Sequence, residues 1–206
     1  MKYPIREIFS SVQGEGLLVG SPCTFIRLAG CNVGCSFCDT PDALTTNGAM
    51  RLFVPDILFA IPEHTNHIVI TGGEPTLQDL RPLTEELNKK GYFTQLETSG
   101  FNSLQGATFS HVTWSPKVAV NYEASPDVVS AAREIKLVID QPVEPSLVDY
   151  IYHLLGLTDA PILLMPEGKM GETKFIPVVM EYLDIFARFP TRVRFGTRLH
   201  TILGVR

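Results

Sequence analysis

Short apolar runs recur along the chain, and most of them are followed by a polar turn and then by a segment of helical period. Cys23-Thr24-Phe25-Ile26-Arg27-Leu28-Ala29, opened by Pro22 and ended by Gly30, is rich in β-branched and apolar residues and predicts a strand. A shorter strand, about Ile5–Ser10, precedes it, and the intervening Gly14 and Gly16 suit a hairpin turn. Further strands are predicted at His67–Ile70, Phe93–Leu96, His111–Trp114, Glu134–Ile139 and Pro161–Met165. Between them the period lengthens. Leu80, Leu83 and Leu87 fall on one side of a helix over about Gln78–Lys90, which Gly91 stops. Similar segments run near Pro126–Arg133, from Ser146 to about Leu155, and near Phe175–Phe189. Residues 41–66 show no clear period beyond a short helix at Asp56–Ile61.

Strands alternating with helices imply βα units and a mostly parallel sheet. The residues least suited to a core cluster just after the strands: three cysteines, Gly72-Gly73-Glu74, Glu97 to Gly100, Ser115 to Lys117, and Pro166-Glu167-Gly168. In a parallel barrel all of these lie on the carboxyl-terminal rim, where chemistry sits. About six parallel strands are too few to close a barrel. The expected fold class is therefore α/β, an open partial (β/α) barrel, with residues 1–206 as one domain. A doubly wound open sheet competes, although no G-x-G-x-x-G follows the first strand.

A chain of 206 residues with 45% hydrophobic and 19% charged residues is that of an ordinary globular protein. A net charge of −5 and a pI near 5.5 speak against nucleic acid as a partner. The first residues lack the apolar stretch of a signal peptide, and no run approaches the ~18 apolar residues of a membrane span. A cytoplasmic protein is expected, with thiols kept reduced and used for metal or redox chemistry.

Three of the four cysteines, Cys31, Cys35 and Cys38, stand at C-x3-C-x2-C spacing. Structural zinc takes four ligands, usually as two separated pairs. Three thiolates in one short loop leave a metal site one ligand short, whereas a [4Fe–4S] cluster held by three cysteines keeps one iron open. A zinc loop completed by a distant histidine and a chance grouping of thiols are the plainer readings. Cys23 stands at the far end of its strand, roughly 26 Å away at ~3.3 Å per residue, and is expected to be a core thiol. Arg27 alternates with Phe25 and Ala29 on one face of that strand, and a half-buried guanidinium needs an anion. A structural carboxylate and a ligand carboxylate are equally good partners for it.

With Phe37 just before the last cysteine, this loop resembles that of the radical S-adenosylmethionine (SAM) enzymes. More narrowly, Phe9 to Gly16, Phe25-Ile26-Arg27, Cys38-Asp39-Thr40, Thr71 to Pro75, Glu97 to Gly100, Ser115-Pro116-Lys117 and Glu134-Ile135-Lys136 occur in the order seen in the 7-carboxy-7-deazaguanine synthases. This resemblance implies conversion of 6-carboxy-5,6,7,8-tetrahydropterin to 7-carboxy-7-deazaguanine with loss of ammonia. It implies a [4Fe–4S] cluster, SAM used catalytically, and Mg²⁺. Cys31, Cys35 and Cys38 would hold the cluster, and Thr40 the magnesium. Phe37, Cys38, Asp39, Gly72, Gly73, Glu74, Ser99, Ser115, Pro116 and Lys117 would border SAM, with Glu97 beside them. Val12, Gln13, Gly14, Arg27, Thr71 and the terminal Arg206 would contact the pterin. The resemblance further implies a homodimer served by an electron donor such as flavodoxin or ferredoxin. An activating enzyme for a glycyl-radical partner would share the cysteine loop and the Gly-Gly-Glu-Pro turn, but would need neither Gln13 nor Arg27. A non-enzymatic iron–sulfur protein would bind no SAM.

Overall fold

The computed structural model describes residues 1–36, 38–168 and 173–205. In chain order the strands are β1 (Lys2–Val12), β2 (Pro22–Leu28), β3 (Met50–Phe53), β4 (His67–Gly72), β5 (Phe93–Thr98), β6 (His111–Trp114), β7 (Ala132–Ile139), β8 (Ile162–Pro166) and β9 (Val193–Phe195). The helices are α1 (Val54–Ala60), α2 (Arg81–Lys89), α3 (Pro126–Ala131), α4 (Pro145–Leu157), α5 (Ile176–Ile185) and α6 (Leu199–Leu203). The strands form one open sheet in the order β3-β1-β2-β4-β5-β6-β7-β8-β9. From β2 to β9 every neighbouring pair is parallel, and β1 is antiparallel to both of its neighbours.

The expected open α/β sheet is thus present, extended at one edge by the antiparallel pair β1 and β3. The segment that showed no period supplies β3, whose residues are mostly exposed. α2 starts later than its leucine spacing suggests, at Arg81, with Pro82 in its first turn, where a missing N–H costs nothing.

Alternation along the strands sorts the two faces by chemistry. Ile26 and Leu28, Ile68 and Ile70, Leu96, Ile135 and Leu137 point outward into a core completed by the helices, including Leu83, Ile151 and Tyr182. Each fully buried leucine or isoleucine there contributes about 1.5–3 kcal/mol. The opposite face carries Arg27, Gln95, Glu97, Thr113, Glu134 and Lys136, most of them buried. These polar groups stay only because they bond to one another. Stability therefore rests on the outer layer, and the concave face is left for chemistry.

Candidate active site

A cavity of about 280 Å³ opens on the concave face at the carboxyl ends of the parallel strands. The loop after β2 brings Cys31, Cys35 and Cys38 to its wall, and all three are partly exposed while Cys23 is buried. Burial holds the Cys23 thiol up at about 12, as an inert core group requires. Burial also raises the Cys35 thiol, opposed by the nearby Lys117 ammonium, which favours thiolate. Among the described residues no three His, Cys, Asp or Glu side chains gather tightly enough for a single metal ion. A cluster makes a different demand, since each thiolate meets its own iron. Three thiols on one wall, with a cation beside one of them, fit that group.

The turn after β4 shows why its glycines are needed. A Cβ on Gly73 would lie 2.4 Å from the Gly30 carbonyl oxygen and 2.6 Å from that of Ala43. Glu74 N–H donates to the Gly30 carbonyl at 2.9 Å, so turn and cysteine loop are laced backbone to backbone. The Glu74 carboxylate is buried and saturated. It accepts from Thr76 N–H at 3.1 Å, from the Thr76 and Thr98 hydroxyls at 2.7 Å each, from Ser99 N–H at 2.8 Å and from the Ser99 hydroxyl. Glu74 thus braces the rim through its own loops. At the outer edge Asn32 and Asn102 exchange side-chain amide bonds of 2.9 and 3.2 Å, fastening the cysteine loop to the loop after β5. Lys117 donates to the Ser115 hydroxyl, which donates in turn to the Lys136 carbonyl at 3.0 Å.

The floor comes from the opposite direction. Because β1 runs against the parallel strands, the chain leaving it at Gln13 enters the concave face from the far end. Gln13 Nε2 donates to Gln95 Oε1 at 3.1 Å and to Glu97 Oε1 at 3.2 Å. Glu134 accepts from Leu17 N–H, from the Thr113 hydroxyl at 2.6 Å, and shares a bond of 3.1 Å with His111. Lys136 Nζ lies 2.7 Å from Glu15 and 2.6 Å from Glu97, and Arg198 Nε lies 3.3 Å from the other Glu15 oxygen. Burial alone would raise the Glu15 carboxyl, but Lys136 and Arg198 overcome it and hold the group down at about 2. Burial raises Glu97, and Lys136 offsets this only in part. Burial alone would lower Lys136, but Glu15 and Glu97 reverse the direction and keep it charged. The tail closes the wall: Leu199 N–H donates to the Gly14 carbonyl at 2.8 Å, and a Cβ on Gly14 would strike the His200 ring at 2.0 Å.

Of the residues singled out in the sequence, the cavity gathers Val12, Gln13, Gly14, Arg27, Cys31, Cys35, Cys38, Asp39, Thr40, Thr71, Gly72, Gly73, Glu74, Ser99, Ser115 and Lys117. Pro116 is buried behind its neighbours and is not among the lining residues. Phe37 and Arg206 lie outside the described residues. Glu97, expected beside SAM, also lines the cavity and bonds to the floor residues Gln13 and Lys136. Lys136, Arg198 and His200 had no assigned role, since only the fold brings them to Glu15 and Gly14. Arg27 finds a structural carboxylate, Glu7, at 2.8 Å, and still faces the cavity.

The sequence pattern of the Radical SAM superfamily matches residues 25–111. The 7-carboxy-7-deazaguanine synthase of Aquifex aeolicus is 36% identical over 174 residues, covering 82% of this chain and 79% of the relative. That of Escherichia coli K12 is 38% identical over 159 residues, covering 66% and 71%. The crystal structure of QueE from Escherichia coli superposes with a TM-score of 0.79 at 30% identity, covering 97% of this chain and 95% of the other.

Proposed function

Since the chain belongs to the 7-carboxy-7-deazaguanine synthases, enzymes of the radical SAM superfamily, we propose that this cavity rearranges 6-carboxy-5,6,7,8-tetrahydropterin to 7-carboxy-7-deazaguanine, releasing ammonia. One observation supports this above the others. Three thiols on the rim and a polar floor with a carboxylate-binding cation at its edge open onto one cavity. A glycyl-radical activase needs the rim alone.

Cys31, Cys35 and Cys38 would hold the [4Fe–4S] cluster, and Gly72, Gly73, Ser115 and Lys117 would receive SAM. Together the cluster and SAM supply hydrogen-atom abstraction. The protein's own groups do the rest. Glu74 keeps the rim turn rigid, so the backbone of Gly72 and Gly73 is presented without reorganisation. Gln13 and Glu97 offer an amide and a carboxylate to the pterin's hydrogen-bonding edge, with Gly14 leaving room at the floor. Lys136 holds Glu15 ionised and offsets part of the upward pull of burial on Glu97. Arg27 meets the substrate carboxylate.

Thr40 is the candidate magnesium ligand. Its hydroxyl donates to Asp39 at 3.0 Å and accepts from Arg27 Nη1 at 3.4 Å. A divalent cation beside a guanidinium is repelled unless an anion lies between them. Mg²⁺, which prefers oxygen and keeps few protein ligands, should therefore bind with the substrate and not before it. A reductant such as flavodoxin or ferredoxin, a homodimeric assembly, and one radical SAM domain spanning residues 1–206 complete the reading; the single continuous sheet supports the last. Among the described residues no helix is long and apolar enough to cross a membrane.

The deciding experiment is anaerobic turnover of the reconstituted protein with SAM, reductant and the carboxytetrahydropterin, with and without Mg²⁺. Product should appear with SAM recovered. Thr40→Ala should lose on the order of 100-fold in rate, as small misplacements do, with little rescue by added Mg²⁺. Thr40→Ser should keep part of the rate. Full activity of Thr40→Ala in chelator would remove the metal from this scheme.

A further inference from the structure

The pairing of β1 with β2 slips by one residue beside the cavity. Ile5 stands opposite Leu28, but the next matched pair is Glu7 with Arg27, so Arg6 is an extra residue in β1. Such a bulge re-aims the side chains that follow it. In unbroken antiparallel register the partner of Arg27 would be Arg6, two guanidiniums face to face across the strands. With the slip, Arg6 turns away and donates to the carbonyls of Thr45 and Asn47 at 3.1 and 2.9 Å. Glu7 takes its place.

The consequences for Arg27 are specific. Glu7 Oε1 accepts from Arg27 Nε at 2.8 Å. The guanidinium carbon sits 5.8 Å from the centre of the Phe9 ring, which is itself stacked on Phe25 at 5.0 Å. Nη1 points to the Thr40 hydroxyl on the cavity wall. One edge of the fork is thus held by a carboxylate, one face by an aromatic ring, and the Nη end is left toward the cavity. A guanidinium recognises a carboxylate through two parallel N–H donors in a rigid plane, so its orientation decides whether both can be used.

We propose that Glu7, placed by the bulge at Arg6, is a positioning residue that fixes the Arg27 guanidinium so that its Nη end receives the carboxylate of the substrate. This rests on the assignment of Arg27 to that carboxylate made above. Glu7 does not touch the substrate; it removes the ordering that a long, mobile side chain would otherwise undergo on binding.

The test is a KM and kcat comparison on the reconstituted enzyme, with cluster absorption and substrate-free SAM binding measured alongside. Glu7→Ala should raise KM for the pterin about five- to tenfold, the scale of re-ordering one long side chain. It should leave kcat, cluster absorption and SAM affinity near their normal values. Glu7→Gln, which still accepts from Nε, should stay within about twofold of the parent, whereas Glu7→Asp, charged but shorter, should behave like Glu7→Ala. The double variant Glu7→Ala/Arg27→Ala should be no worse than Arg27→Ala alone, because Glu7 acts only through Arg27. If Arg27→Ala raises KM but Glu7→Ala does not, or if the two effects add in full, the positioning role is overturned and the Arg27 assignment survives. Should Arg27→Ala leave KM unchanged, the Arg27 assignment itself fails. If Glu7→Ala folds poorly, the Gln and Asp variants carry the comparison, and equal KM values for those two would overturn the proposal.

Discussion

Lys136→Met isolates the charge balance of the cavity floor. The substitution keeps the length of the side chain and removes the ammonium that lies between Glu15 and Glu97. The contacts of 2.7 and 2.6 Å place those two carboxylate oxygens no more than about 5.3 Å apart. Two unit charges at ~5 Å and an effective dielectric constant of ~20 repel by about 3 kcal/mol. Removing one partner of a buried pair costs ~3–5 kcal/mol, a range that contains this figure. Arg198 still faces Glu15, while Gln13 and Gln95 still donate to Glu97, so a loss near 3 kcal/mol is expected at neutral pH. For a chain of this size that is a fall in Tm of roughly 6–12 °C. The sign with pH follows from linkage. Without Lys136 the carboxyl already raised by burial, Glu97, rises further and binds a proton more readily as pH falls, which relieves the repulsion. The deficit should therefore shrink on acidification. In the parent, Glu15 is depressed to about 2, so its contribution is present above its ordinary value of 4.5 and is lost only as pH falls from there toward 2. Denaturant titrations of parent and variant at neutral pH and near pH 5, without cluster, measure both. A deficit below about 1 kcal/mol, or one that does not change with pH, would refute the reasoning.

Two further perturbations address the rim. Anaerobic reconstitution should give about four irons per chain, lost on changing Cys31, Cys35 or Cys38 to Ala and kept in Cys23→Ala; stable zinc without iron would contradict it. Gly73→Ala forces a methyl onto two backbone carbonyls of the cysteine loop, so iron uptake should fall sharply while the far-ultraviolet circular dichroism spectrum stays near normal. Normal uptake would mean that the loop yields.

How much of this could be read from the sequence depended on how local each feature is. The cysteine loop, the Gly-Gly-Glu turn and the run of parallel strands are each specified within a few consecutive residues, so spacing and period reveal them. Polar alternation in Glu134-Ile135-Lys136 also announces an interior polar face. What spacing could not give was the partner of each polar group. Glu15 lies 121 residues before Lys136, and only sheet order brings them together. Glu7 illustrates the harder case. Simple alternation puts it on a face with Phe9, but whether that face meets Arg27 depends on a one-residue slip between strands. The edge strand β3 was silent because its exposed residues carry no apolar alternation. The saturation of Glu74 was equally hidden, since three of its five donors come from the end of β5 and the residue after it.

The reversed direction of β1 has one more implication. The 13–17 segment and the cysteine loop approach the cavity with opposite polarity, one from the amino end of β2 and the other from its carboxyl end. A loop lengthened between Gly30 and Thr40 would build outward from the mouth, leaving untouched the bonds by which Gln13 and Glu15 are anchored to β5 and β7. Conversely, a changed residue in the 13–17 segment reshapes what is held at the bottom without shifting the thiols at the top. The part of molecular recognition carried by the 13–17 segment can therefore change without rebuilding the thiol loop, whereas the part carried by Arg27 and Thr40 is tied to that loop.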